Sequence, residues 1–317
     1  MILKRLYILF VLLSLLIGMA GCANNETKAN TEDPISAGLI VTDSGLGDDS
    51  FSDSAFQGLE QARDELGITF DYREPFEQDY EKNAQELLEQ DHDVIIGLGY
   101  NSQEAIEKLA QENPDQAFVM IDAVSELENV TSITFKEDEG SYLIGLIAGM
   151  KTKTGTVGFI GGEKIPVVER FEKGFKAGVK EANPDAKILS EYAETFDDDE
   201  RGATITNEMV AEGADFVFPA AGFTGIGVLK EAQKQEIYAF GVDSDQFFVA
   251  EEAVVSSMLK NVNVALYDVM KRLSDGQKLD GGTQTLGIQE NGVGLAPIRV
   301  IELTPEEQNL LNEATGK

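Results

Sequence analysis

The chain predicts an α/β protein of two doubly wound, parallel-sheet lobes between which the backbone crosses more than once. Three observations predict it. From Ile35 onward short β-branched runs alternate with amphipathic stretches, the pattern of βαβ units. The pattern restarts near Thr156 at similar spacing. In both halves, polar and aromatic residues follow the strands, at the ends where open parallel sheets bind ligands.

Taken in order, Ile35–Thr42 reads as a strand and Phe51–Leu66 as a helix, with Phe51, Ala55, Leu59 and Ala62 on one face. Strands follow at Ile68–Arg73, Asp93–Leu98, Ala117–Asp122 and Thr131–Phe135, with helices at Tyr80–Gln90 and Ser102–Gln111 between them. Glu139–Met150 is helical and apolar on most sides, which implies a buried packing face. The second half gives strands at Thr156–Ile160, Ala186–Tyr192, Asp215–Pro219, Ile237–Val242 and Val254–Leu259. Its helices are Val167–Glu181, Arg201–Glu212, Gly225–Gln235 and Val262–Leu273. Gly-rich Asp280–Gly294 reads as a last crossover, and Thr304–Ala314 as a terminal helix opening with Thr and Pro at cap positions.

The N-terminus carries an export signal. Lys4 and Arg5 precede an apolar run from Leu6 to Met19, and the small residues Ala20-Gly21 precede Cys22, the only cysteine. The run is short for a ~30 Å hydrocarbon core, so a cleaved signal fits better than a membrane span. Met19-Ala20-Gly21-Cys22 looks like the lipobox of bacterial lipoproteins, with Cys22 the residue that is diacylated. Residues 1–21 are then signal and 22–34, small and polar, a flexible tether. The 57 acidic against 25 basic residues give a formal charge of −32, which disfavours nucleic acid and anionic lipid as partners.

Catalytic constellations are scarce. His92 is the single histidine, flanked by aspartates at a strand start, and reads as a solvated edge residue. With one His and one lipidated Cys, nucleophilic triads and His-rich zinc sites have no parts. Asp197-Asp198-Asp199-Glu200 and Asp243-Ser244-Asp245 lack the ligand spacing of a calcium loop. Gly45-Leu46-Gly47 follows a strand as a phosphate loop would, but Asp48 and Asp49 stand where the phosphate would approach. Neither a metal nor another cofactor is expected. Polar strand tips do recur: Asp43, Tyr100-Asn101 and Asp122 in the first half, Phe196-Asp197, Ala221-Gly222 and Asp243 in the second. Two such rims facing one another would form a binding cleft.

At these positions the chain resembles the basic membrane protein family of lipoproteins, which includes purine nucleoside receptors of ABC importers. The resemblance runs through Thr42-Asp43-Ser44-Gly45-Leu46-Gly47-Asp48-Asp49-Ser50-Phe51 and Arg170-Phe171-Glu172-Lys173-Gly174-Phe175. It continues in Gly222-Phe223-Thr224-Gly225, Gly241-Val242-Asp243-Ser244-Asp245-Gln246 and Ser256-Ser257-Met258-Leu259-Lys260. Ser52 stands where the family usually has Asn, and Phe223 also departs from the pattern. Membership implies a type I periplasmic-binding fold, two lobes joined by three crossovers with the ligand between them. We expect an N-terminal lobe of residues 35–137 and 246–280 and a C-terminal lobe of 138–245 and 281–317.

The resemblance also implies roles. A purine would stack between Phe51 and Phe196, Asp243 and Lys260 would hold the ribose hydroxyls, and Asp43 and Asp122 would serve the base edge. Asn101 and Gly222 complete the expected ligand-binding set. The partners implied are a nucleoside, the permease and ATPase of an ABC importer, and the membrane through Cys22, with the receptor a monomer on the outer face of a Gram-positive cell membrane. A receptor or regulatory lipoprotein for another small polar ligand is the alternative. A carboxylate-based nucleoside hydrolase built on Asp243 is a more distant one.

Overall fold

The computed structural model describes residues 34–75 and 79–315; the expected signal, nearly all of the expected tether and Cys22 lie outside the described residues. The first half contributes β1 (Ser36–Ile40), β2 (Thr69–Arg73), β3 (Val94–Leu98), β4 (Ala117–Ile121) and β5 (Val130–Phe135). The second contributes β6 (Thr156–Gly161), β7 (Lys187–Tyr192), β8 (Phe216–Ala220), β9 (Tyr238–Asp243) and β10 (Val254–Lys260). Two short strands follow, β11 (Gly282–Leu286) and β12 (Val293–Leu295). The helices are α1 (Phe51–Leu66), α2 (Tyr80–Leu88), α3 (Gln103–Glu112), α4 (Glu137–Lys151), α5 (Pro166–Ala182), α6 (Asp199–Ala211), α7 (Phe223–Lys234), α8 (Val262–Ser274) and α9 (Pro305–Thr315).

The strands form two sheets of matching design. The N-terminal sheet has order β11-β5-β4-β3-β1-β2, parallel throughout, and the C-terminal sheet has order β12-β10-β9-β8-β6-β7. Among the described residues only β12 runs antiparallel, pairing with β10 at the edge. Central strands such as β3, with all five residues buried, are covered on both faces, as parallel sheets require. In the N-terminal lobe α1 and α8 cover one face and α2 and α3 the other; in the C-terminal lobe α4 pairs with α5, and α6 with α7.

The backbone crosses between lobes three times, but two crossings fall later than expected. β10 pairs with β9 and β12, so residues 246–260 belong to the C-terminal lobe and the return comes after Lys260, not at Gln246. β11 pairs with β5, which keeps 281–286 in the N-terminal lobe rather than the C-terminal one. The reason is that pairing partners are tertiary. Val254–Lys260 is apolar enough for either sheet, and exposed GTQTL carries no strand alternation at all.

The apolar character of α4 has a direct cause. A side chain begun at Gly145 would meet Phe175 O at 2.2 Å, and one at Gly178 would meet Tyr142 O at 2.0 Å. The α4 and α5 backbones therefore touch, and only glycine permits it. Gly178→Ala is expected to cost about 1–3 kcal/mol by overpacking and to lower Tm by several degrees in a thermal melt. An unchanged Tm would mean the helices separate freely. His92 also differs from expectation. It is half-buried with Nε2 3.1 Å from the Gln90 amide, and burial lowers its pKa. Among the described residues no helix is long and apolar enough to cross a membrane.

Candidate functional site

The C-terminal strand ends of both sheets border a cavity of about 320 Å³ between the lobes, at the lower end of the ~300–1,000 Å³ typical of small-molecule sites. All eight residues singled out from the sequence line it: Asp43, Phe51, Asn101, Asp122, Phe196, Gly222, Asp243 and Lys260. Each arrives there for a local reason. The Asp48 carboxylate accepts from the backbone N–H groups of Ser50 (2.9 Å), Ser52 (2.9 Å) and Asp53 (3.2 Å), starting α1 so that Phe51 is its first residue. Phe196 sits in the β7–α6 turn with its carbonyl accepting from Thr224 N (3.1 Å), and Gly222, which opens α7, backs onto it.

Asp122 and Asp243 occupy equivalent places, just past β4 and at the end of β9. Both adopt left-handed backbone, φ 66° and 64°, a conformation aspartate tolerates better than most residues and one that often marks a functional site. Between them lies Lys260, fully buried at the second crossing. Its ammonium pairs with Asp122 and lies 3.0 Å from Glu137 Oε1. It also faces the rings of Phe51 (5.1 Å), Phe135 (5.1 Å) and Phe171 (5.5 Å). Glu137, wholly buried at the first crossing, is held from its other side by Arg170 Nε at 2.6 Å.

The charges interact accordingly. Burial would lower the pKa of Lys260, but Asp122, Glu137 and Asp243 outweigh it and raise the pKa. Burial pushes Asp243 up to about 6 against the pull of Lys260, and likewise pushes Asp48 up to about 6. Asp122 is also raised by burial, and its Oδ1 has no partner among the described residues. At the far end of the cavity Asn101 Nδ2 donates to Asp43 Oδ2 at 3.0 Å.

The lobes meet across the cleft. Ser50 Oγ donates to Asp243 Oδ2 (2.5 Å), Ser44 Oγ to Phe196 O (3.3 Å), and Gln246 Nε2 to Asp49 O (3.2 Å), which also accepts from Ser244 Oγ. Asp122 pairs with Lys260, while Asp43 pairs with Asn101. Glu137, Arg170, Ser50 and Tyr80 were not foreseen. Glu137 escapes notice because α4 begins two residues earlier than its apolar pattern.

Two hinged lobes enclosing a buried polar pocket define a solute-binding protein. The chain belongs to the family described as ABC transporter substrate-binding protein PnrA-like, matched over residues 35–316, the family its motifs resemble. It is 34% identical over 308 residues to the CD4+ T-cell-stimulating antigen of Listeria monocytogenes, covering 89% of this chain and 86% of that one. It is 32% identical over 305 residues to the ABC transporter nucleoside-binding protein BmpA of Lactococcus lactis, covering 87% and 86%. A crystal structure of an ABC transporter system solute-binding protein from Aeropyrum pernix superposes with TM-score 0.81 at 27% identity, over 89% of this chain and 90% of the other. This protein is thus an ABC transporter substrate-binding protein, in a family of binding proteins rather than enzymes.

Proposed function

We propose that the protein captures a purine nucleoside outside the cell and delivers it to the permease of an ABC importer, tethered meanwhile by a lipid on Cys22. The observation that carries this reading is the composition of one cavity. Phe51 from one lobe and Phe196 from the other flank it, and Asp122, Lys260 and Asp243 close its hinge end. A base fits between aromatic rings, where offset stacking adds ~0.5–1.5 kcal/mol beyond area burial. Vicinal sugar hydroxyls fit the carboxylates, since donors to an ionised acceptor form the stronger class of hydrogen bond. Asp243 has one oxygen engaged by Ser50, and Asp122 has Oδ1 free of protein partners among the described residues. We assign both to the sugar, and Asp43 with Asn101 to the base.

Charge narrows the ligand further. Among the described residues the cavity is lined by Asp43, Asp48, Asp122, Glu163, Asp197 and Asp243, against Lys260 alone. A phosphate would meet that acidic wall with no cation to spare, so nucleosides are favoured over nucleotides. The inter-lobe bonds of Ser44, Ser50, Ser244 and Gln246 support closure by hinge motion around the ligand.

The test is incubation of purified protein with inosine, guanosine, adenosine and AMP, followed by equilibrium binding and chromatography of the ligand. Saturable nucleoside binding, no free base and little AMP binding are expected. Release of base would replace the receptor with a hydrolase, and AMP bound as tightly as adenosine would overturn the charge argument.

A further inference from the structure

Tyr80, the first residue of α2, is 6% exposed, yet its hydroxyl makes no hydrogen bond of good geometry among the described residues, although the Asp43 carboxylate and the Asn101 amide stand close enough to perturb it. A buried hydroxyl in that condition weakens the fold unless a ligand completes it. The side chain lines the inter-lobe cavity, with Asp43 and Asn101 beside it. Asn101 donates to Asp43 Oδ2, and an ionised carboxylate has capacity to accept further hydrogen bonds. Burial, and then the Asp43 carboxylate, push the phenol pKa up, so Tyr80 stays protonated and can donate.

The location singles out the base. Sugar-binding groups collect at the other end, around Lys260. Phe51 links the two ends: its ring lies 5.1 Å from the Lys260 ammonium, and its Cε1 is 3.8 Å from where a side chain on Gly99 would begin, next to Tyr100-Asn101. A base lying on that ring with its sugar toward Lys260 would turn its outer edge to Asp43, Asn101 and Tyr80.

We propose that Tyr80 is a specificity-determining residue that reads the outer edge of the base, its phenol donating to a ring acceptor while Asp43 accepts from an adjacent N–H. The ligand class is then a base with a donor and an acceptor side by side, as on the N1/C6 edge of a purine. For adenosine, N1 accepts a hydrogen bond from the phenol and the 6-amino group donates to Asp43. For inosine, the 6-oxygen accepts from the phenol and N1–H donates. A ligand without the paired edge leaves the buried Tyr80 hydroxyl unsatisfied, which is the strong form of discrimination.

This inference rests on the nucleoside reading, and the experiment separates the two. Wild type and Tyr80→Phe are titrated calorimetrically with inosine, adenosine and 1-deazaadenosine, which carries C–H in place of N1. Wild type is expected to prefer adenosine to 1-deazaadenosine by about tenfold. Tyr80→Phe is expected to weaken adenosine and inosine by about tenfold and to lose the preference between adenosine and its deaza analogue. Unchanged affinity in Tyr80→Phe would overturn the proposal. So would an equal loss for both analogues with the preference intact, because the hydroxyl would then be acting through the fold. Wild type binding none of the three would overturn the nucleoside reading and this inference with it, whereas wild-type binding with an insensitive Tyr80→Phe overturns the inference alone.

Discussion

Replacing Lys260 with methionine is expected to lower folding stability by about 3–5 kcal/mol at neutral pH, the cost of stranding buried carboxylates by removing their cation. Lys260 stands buried among Asp122, Glu137 and Asp243, and among the described residues Arg170 pairs with Glu137 alone of these carboxylates. Methionine fills the same channel between Phe51, Phe135 and Phe171, so the loss reports charge rather than a cavity. Urea unfolding measures it. The deficit should shrink as pH falls below about 6, where Asp243 takes up a proton. The lysine itself contributes no slope in that range, because its raised pKa means its stabilisation is lost only as pH rises through the alkaline folded value. A variant as stable as wild type at neutral pH would show that the carboxylates are held some other way.

Asp243→Ala is expected to weaken nucleoside binding at least tenfold, and Phe51→Ala to do the same by removing a stacking face. Equilibrium titration decides, and unchanged curves for both would reject the site assignment. Asp243 also predicts a pH signature. On the assignment of Asp243 to the sugar, its ionised form is the one that accepts, so wild-type affinity should fall as pH drops below about 6, by up to tenfold per unit. Asp48, raised to about 6 as well, adds to the same window, because protonating it loosens the turn that presents Ser50 and Phe51. Unliganded stability should run the other way. A carboxyl with a folded pKa above its unfolded value penalises the folded state at neutral pH, and that penalty fades as pH falls from about 6 toward 4. Affinity and stability that move together across this range would contradict the account.

Much of the architecture is legible in the chain. The helix at Phe51–Leu66 is read to the residue because a carboxylate-rich start, an apolar stripe and Gly67 as a left-handed end all agree. What escapes is whatever depends on pairing at a distance. The sheet that β10 joins is decided by β9 and β12, not by Val254–Lys260 itself, and β11 is an exposed edge with no apolar alternation. The site divides in the same way. Asp43, Phe51 and Asp243 stand out because they follow strands or open a helix within recognisable motifs. Glu137 and Tyr80 open helices in ordinary-looking sequence, and only the fold brings one to the Lys260 ammonium and the other to Asp43. Even Asp122, correctly placed at a strand tip, takes its partner from the hinge.

Native mass spectrometry of the purified protein, before and after addition of inosine and adenosine, tests the central claim most directly. The expected result is one purine nucleoside per chain, either carried through purification or taken up on addition, with its mass intact on release. A chain that accepts neither nucleoside, or that holds a different small molecule which neither displaces, would contradict it.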